Sequence, residues 1–118
     1  MTDANTGGRE PAPLELKLFD KPLFQLGQLL ATPGALATLE RLDVQPLSLI
    51  FGRHVVGDWG DLCDEDRELN RHSLTNGLRI FSSYKLAASP SDGPATETVW
   101  IITEADRAST TILLPSEY

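Results

Sequence analysis

From Thr32 to Asn76 apolar residues recur at helical spacing, every three or four positions, and from Arg79 onward every second position, and this switch of period limits the available folds more than any other feature. Gly77 stands at the switch. After it, Ile80, Ser82, Tyr84 and Leu86 alternate with Phe81, Ser83 and Lys85. Thr98 to Glu104 is rich in Val, Trp, Ile and Thr, and Ser109 to Leu114 in Thr, Ile and Leu. These patterns predict three strands. Two Pro, one Gly and two Ser make residues 88–95 a loop, and Ala105 to Ala108 is short enough to join its neighbours as a hairpin.

Before the switch, Leu14, Leu16 and Leu18 alternate with Glu15 and Lys17, which predicts a half-buried strand ended by Pro22. Phe24 to Leu30 reads as a second short strand. Thr32-Pro33 is a helix start, because the hydroxyl can accept from an otherwise unpaired N–H and a proline at the first position loses no bond. Ala35, Leu36, Leu39 and Leu42 follow at helical spacing. A second helix is predicted from Pro46, with Leu47, Ile50, Phe51, His54 and Val55 on one apolar stripe. The third runs from Cys63 or Asp64 to Asn76 and stops at Gly77. Only Leu62, Leu69 and Leu74 offer it anchors, which places it on the surface.

Strand, helices and then an antiparallel meander define an α+β domain with helices on one face of a small sheet. Phe81, Trp100, Ile102 and Leu113 alternate to the other side from Ile80, Tyr84, Val99 and Ile101, so both faces are apolar. Either the N-terminal strand and tail cover the second face or a partner does, a second copy of the chain included. At 118 residues the chain is long enough for one core without disulfides or metal. Residues 1–13 have only Met1 and two Ala as apolar members and are expected to be a disordered tail, leaving 14–118 as the domain. A single cysteine, Cys63, and no apolar leader point to the cytoplasm. Apolar runs of a few residues are far short of the roughly twenty that a membrane helix needs.

Seventeen acids against ten Lys and Arg give a net charge of −7, which opposes binding to a phosphate backbone and favours a basic protein surface as partner. The densest polar segment is Arg53 to Asp61. There His54 is a candidate acid or base oriented by Asp58, while Gly57 and Gly60 suit a turn, Asp58 and Asp61 suit caps, and Trp59 suits a gap beneath. The turn reading is the simpler one. Six acids between Asp58 and Glu68, with Asp61, Asp64 and Asp66 among them, do not follow a calcium-loop spacing, so no metal is expected. They suit the start of a helix and a solvated face, or an imitation of phosphates. A second polar segment, Glu104 to Thr111, contains Arg107, which can pair with Glu104 or Asp106. Hairpin chemistry alone accounts for most of its residues. No nucleophile elbow, phosphate loop, dinucleotide glycine pattern or helical zinc pair is present, so no cofactor is expected. Carboxylates around Cys63 blunt its reactivity, and His72 sits on a polar helix.

Ala31 to Leu36, Arg53-His54 with Gly57 to Leu62, and Trp100 to Arg107 followed by Thr110 to Pro115 resemble a widespread group of small bacterial mobile-element proteins, the plasmid-related kind. The similarity runs from about Leu23 to Tyr118. It implies the work such genes do: blocking host defence, controlling replication or transfer, or serving toxin and antitoxin pairs. Helices followed by a meander also resemble the barnase and RelE-like ribonucleases. That resemblance implies His54, Arg79, Tyr84 and Arg107 as the groups that move protons and hold phosphate, against which stands the acidic charge. The expectation is a non-enzymatic accessory protein that occludes a partner, a basic nucleic-acid-binding or defence protein, through His54, Asp58, Trp59, Asp61, Asp64, Asp66 and Arg107.

Overall fold

The computed structural model describes residues 21–87 and 96–118. The expected tail, the Leu14–Leu18 strand and the loop at 88–95 lie outside the described residues. Strands β1 (Gln28–Ala31), β2 (Ile80–Ala87), β3 (Thr96–Thr103) and β4 (Ser109–Leu113) form one sheet in the order β1-β4-β3-β2. Helices α1 (Pro33–Arg41), α2 (Pro46–Gly52) and α3 (Asp64–Asn76) lie between β1 and β2 in sequence. The class is α+β. The sheet, however, is mixed: β2, β3 and β4 are antiparallel, but β1 runs parallel to β4, with Leu30 beside Thr111. A parallel pair needs a long connection, and everything from α1 to β3 lies between these two strands.

Period two in the strands sets the core. Tyr84, Leu86, Val99, Ile101 and Ile112 meet Ala35 and Leu39 of α1 and Leu49 and Ile50 of α2. Thr32 starts α1 as expected, its hydroxyl accepting from Ala35 N at 3.2 Å. The stripe expected on the second helix is corrected. Leu47 and Phe51 are exposed, Leu49 and Ile50 are buried, and the helix ends at Gly52. Arg53 leaves helical geometry, with φ −132° and ψ −64°, so His54 starts a separate 3-10 turn, His54–Val56, and the five residues never share a face. Leu69 is likewise exposed on α3, whose buried residues are Asn70 and Ser73. No described helix is long and apolar enough to cross a membrane.

α3 lies along the outer edge of β2, with Leu74 packed on the cluster of Trp59, Leu62 and Ile80, and it also reaches the strand through polar atoms. The Asn70 amide donates to Phe81 O at 2.6 Å and accepts from Phe81 N at 3.1 Å, replacing a strand neighbour. Further along, Ser83 N donates to Trp59 O and Asp61 N to Ser83 O, and the Asp61 carboxylate accepts from Lys85 N at 2.8 Å. Each outward amide from Phe81 to Lys85 is thereby occupied, which blunts an edge that would otherwise template pairing. On the face away from α1 and α2, Phe81 meets Trp100 edge-on at 5.1 Å and Trp100 meets Tyr118 at 5.7 Å. The C-terminal residue thus covers part of the second apolar face. Glu117 fastens this end: its carboxylate accepts from the Thr32 hydroxyl, Gly34 N and Leu114 N, and those bonds hold it below the usual carboxylate range.

Candidate functional site

His54 is fully buried, as are Ser82, Thr103 and Thr110 around it. These residues form one hydrogen-bonded chain whose direction follows from its end. The Leu26 carbonyl can only accept, so Thr110 Oγ1 donates to it, at 2.7 Å. Thr110 then accepts from Thr103 Oγ1 at 2.7 Å, and Thr103 accepts from His54 Nε2 at 2.9 Å. Nδ1 remains as the acceptor for the Ser82 hydroxyl, at 2.6 Å. The imidazole is neutral with its proton on Nε2, and burial pushes its pKa down to about 3. A serine hydroxyl on a histidine nitrogen has the look of an activated nucleophile, but neither atom is open to solvent or substrate.

Phe24 closes this chamber. Its ring stands edge-on to His54 at 5.2 Å, and the Arg107 guanidinium lies 5.7 Å from its centre. Arg107 is itself spent on carbonyls, donating to Leu78 O at 2.6 Å, Glu104 O at 3.0 Å and Ser73 O at 3.3 Å. It joins the end of α3 to the β3–β4 hairpin, and its own φ of +61° belongs to that tight turn. Asp106 accepts from Ala108 N within the turn.

Asp58 does not orient His54, whose ring nitrogens bond to Ser82 and Thr103 instead. It pairs with Arg53, Oδ2 to Nε at 2.7 Å, and accepts from Gly60 N at 3.2 Å; the Arg53 bond is the main reason its carboxyl lies below the usual range. The Arg53 guanidinium sits 4.4 Å from the centre of the Tyr84 ring, whose hydroxyl donates to Asp58 O at 2.6 Å. Burial raises the Tyr84 phenol well above its ordinary range. Trp59 is buried with Leu62 and Ile80, as a gap-filling residue. Its Nε1 has no partner among the described residues. Gly60 has φ +77°, and a Cβ there would strike the Ser83 carbonyl and the Tyr84 ring. Arg67 holds the turn from below by donating to Gly60 O at 2.5 Å and Leu62 O at 3.1 Å.

His54 and Arg107 both pack on Phe24, which also borders the Trp59 cluster, but no two of His54, Asp58, Trp59 and Arg107 bond to one another through their side chains among the described residues. Asp64 and Asp66 lie in the first turn of α3 with Glu65, at the positive end of its dipole. Of the four residues implied by the ribonuclease resemblance, His54 and Tyr84 are buried, Arg107 is engaged with carbonyls, and Arg79 is exposed, donating to the Tyr118 hydroxyl at 2.8 Å. Among the described residues no three His, Cys, Asp or Glu side chains are placed to hold a metal ion. Sequence reasoning missed Ser82, Thr103, Thr110 and Asn70. The signal for the first two was their parity: Ser82 shares it with Ile80 and Tyr84, and Thr103 with Val99 and Ile101. A hydroxyl at a core parity needs a buried partner. No family model matches the chain, and neither a curated protein nor a solved structure matches it.

Proposed function

We propose that the chain is a small acidic accessory protein of a mobile genetic element that works in the cytoplasm by binding another protein, a basic nucleic-acid-binding one, and covering its surface. One observation carries this reading. His54, Arg53, Arg107 and the Thr110 hydroxyl of the two polar segments are committed to bonds within the fold, whereas Asp64 and Glu65 are exposed and make no ion pair among the described residues. At the start of α3 the outward chemistry left free is anionic, and complementary charge sets encounter rate and partner choice.

The test is capture from bacterial lysate with the whole chain and with an Asp61→Asn, Asp64→Asn, Asp66→Asn variant. Asparagine keeps the oxygen that Asp61 lends to Lys85 N, so the fold is retained. A basic nucleic-acid-associated protein should be held by the parent, released by salt, and lost from the variant. Retention of no such protein, or equal retention by both forms, overturns the proposal.

A further inference from the structure

α1 ends in a turn that a glycine usually makes. Leu42 N donates to Thr38 O, and Val44 N reaches back to Leu39 O at 2.9 Å, with Asp43 between them at φ +58°. This turn and the start of α2 enclose an open hollow of about 560 Å³. Leu36, Leu39, Val44 and Pro46 line it, and Glu40 and Asp43 also border it. Leu36 is 48% exposed on its wall. No lining residue is a cation, the adjacent Arg41 is paired with Glu97 at 3.2 Å, and neither Glu40 nor Asp43 makes an ion pair among the described residues.

We propose that this hollow is the docking site for a basic amphipathic helix of a partner protein. Its apolar side chains enter against Leu36, Val44 and Pro46, and its Lys or Arg residues pair with Glu40 and Asp43. An amphipathic helix presents apolar anchors at i, i+3, i+4 and i+7 on one face with its charged residues flanking them, which suits an apolar floor bordered by carboxylates. An apolar floor with an anionic border rejects an acidic helix and gives a neutral one no pairing. The inference rests on the reading that the molecule acts by binding a basic protein, but it places the contact on a different surface from the α3 acids.

The probe is a fluorescein-labelled 14-residue peptide with leucines at that spacing and lysines elsewhere, set beside the same peptide with glutamate for lysine. Titrated against the full chain at low salt, the lysine peptide should bind and shift the backbone amide signals of Leu36, Glu40, Asp43 and Val44. Asp43→Asn should weaken it at least threefold, and Asp43→Gly equally while raising the unfolding temperature. The glutamate peptide should not bind. Absence of binding, shifts centred on Asp64 to Glu68 instead, or unchanged affinity in Asp43→Asn overturns the inference. Lysate capture that depends on Asp61, Asp64 and Asp66 would survive that result, and peptide docking here would survive failure of the capture, so the two claims fall separately.

Discussion

Residues 53–61 and residues 36–46 each turn the chain through positive φ, and they do it in opposite ways. In the first, Gly57 and Gly60 carry the left-handed conformations, and Arg53, His54, Asp58 and Asp61 all bond within the fold. In the second, an aspartate carries the conformation, and its carboxylate makes no ion pair among the described residues. In the segment that looks reactive in sequence the polar side chains bond within the fold, while the plainer one leaves apolar and anionic groups facing outward. Density of polar residues marks where a chain needs partners, and those partners can all be internal.

The substitution that would break this contrast most forcefully is Gly60→Ala. A Cβ would meet backbone and the Tyr84 ring on a left-handed residue, so a loss of about 4–5 kcal/mol is expected in urea unfolding. A loss under about 1 kcal/mol would mean that the 53–61 turn is loosely held and free to do other work. Next comes pH. Native His54 stays neutral down to about 3 whereas the unfolded chain takes up the proton below about 6.5, so the unfolded state binds more protons in between. Stability is therefore full above pH 6.5 and falls as pH drops toward 3, by on the order of 4 kcal/mol. About 2 kcal/mol of that loss should appear between pH 6 and 4.5, where few carboxylates have yet titrated, and it should be absent from His54→Asn. A parent chain with no such slope would show that His54 is reached by water and is open to chemistry.

The elements legible in sequence were those with local punctuation. Thr32-Pro33 marks the start of α1, Gly77 the end of α3, and alternation marks β2, β3 and β4 to within two residues. What was illegible depends on residues far apart. Nothing local to Gln28–Ala31 says that it lies parallel to Ser109–Leu113, and nothing near His54 says that Ser82 and Thr103 will close on it. The phase of α2 failed for the same reason, since a two-turn helix takes its buried face from the sheet beneath it. Asn70 was hidden because an amide that substitutes for a strand neighbour looks, in sequence, like any polar residue on a polar helix.

A smaller effect sharpens the inward half of the comparison. Asp58→Ala removes a partly exposed ion pair and the bond to Gly60 N, which together contribute about 1 kcal/mol. Because Arg53 holds the carboxyl below its usual range, the contribution is present at neutral pH and disappears as pH falls through the depressed value. Loss of partner capture at unchanged stability would instead give Asp58 an outward role.

The smallest effect has the opposite sign and tests the outward half. Asp43→Gly relieves a left-handed non-glycine residue, which saves about 1 kcal/mol in the folded state, and returns part of that through the freer unfolded chain. A net gain of about 0.5 kcal/mol is expected, seen as a slightly higher urea midpoint with an unchanged slope. If the variant is instead destabilised, the carboxylate has a partner within the fold, and residues 36–46 belong with residues 53–61. If it is stabilised and the lysine peptide no longer binds, stability and recognition pull against each other at one residue. That is the behaviour of a position whose side chain serves a contact outside the molecule.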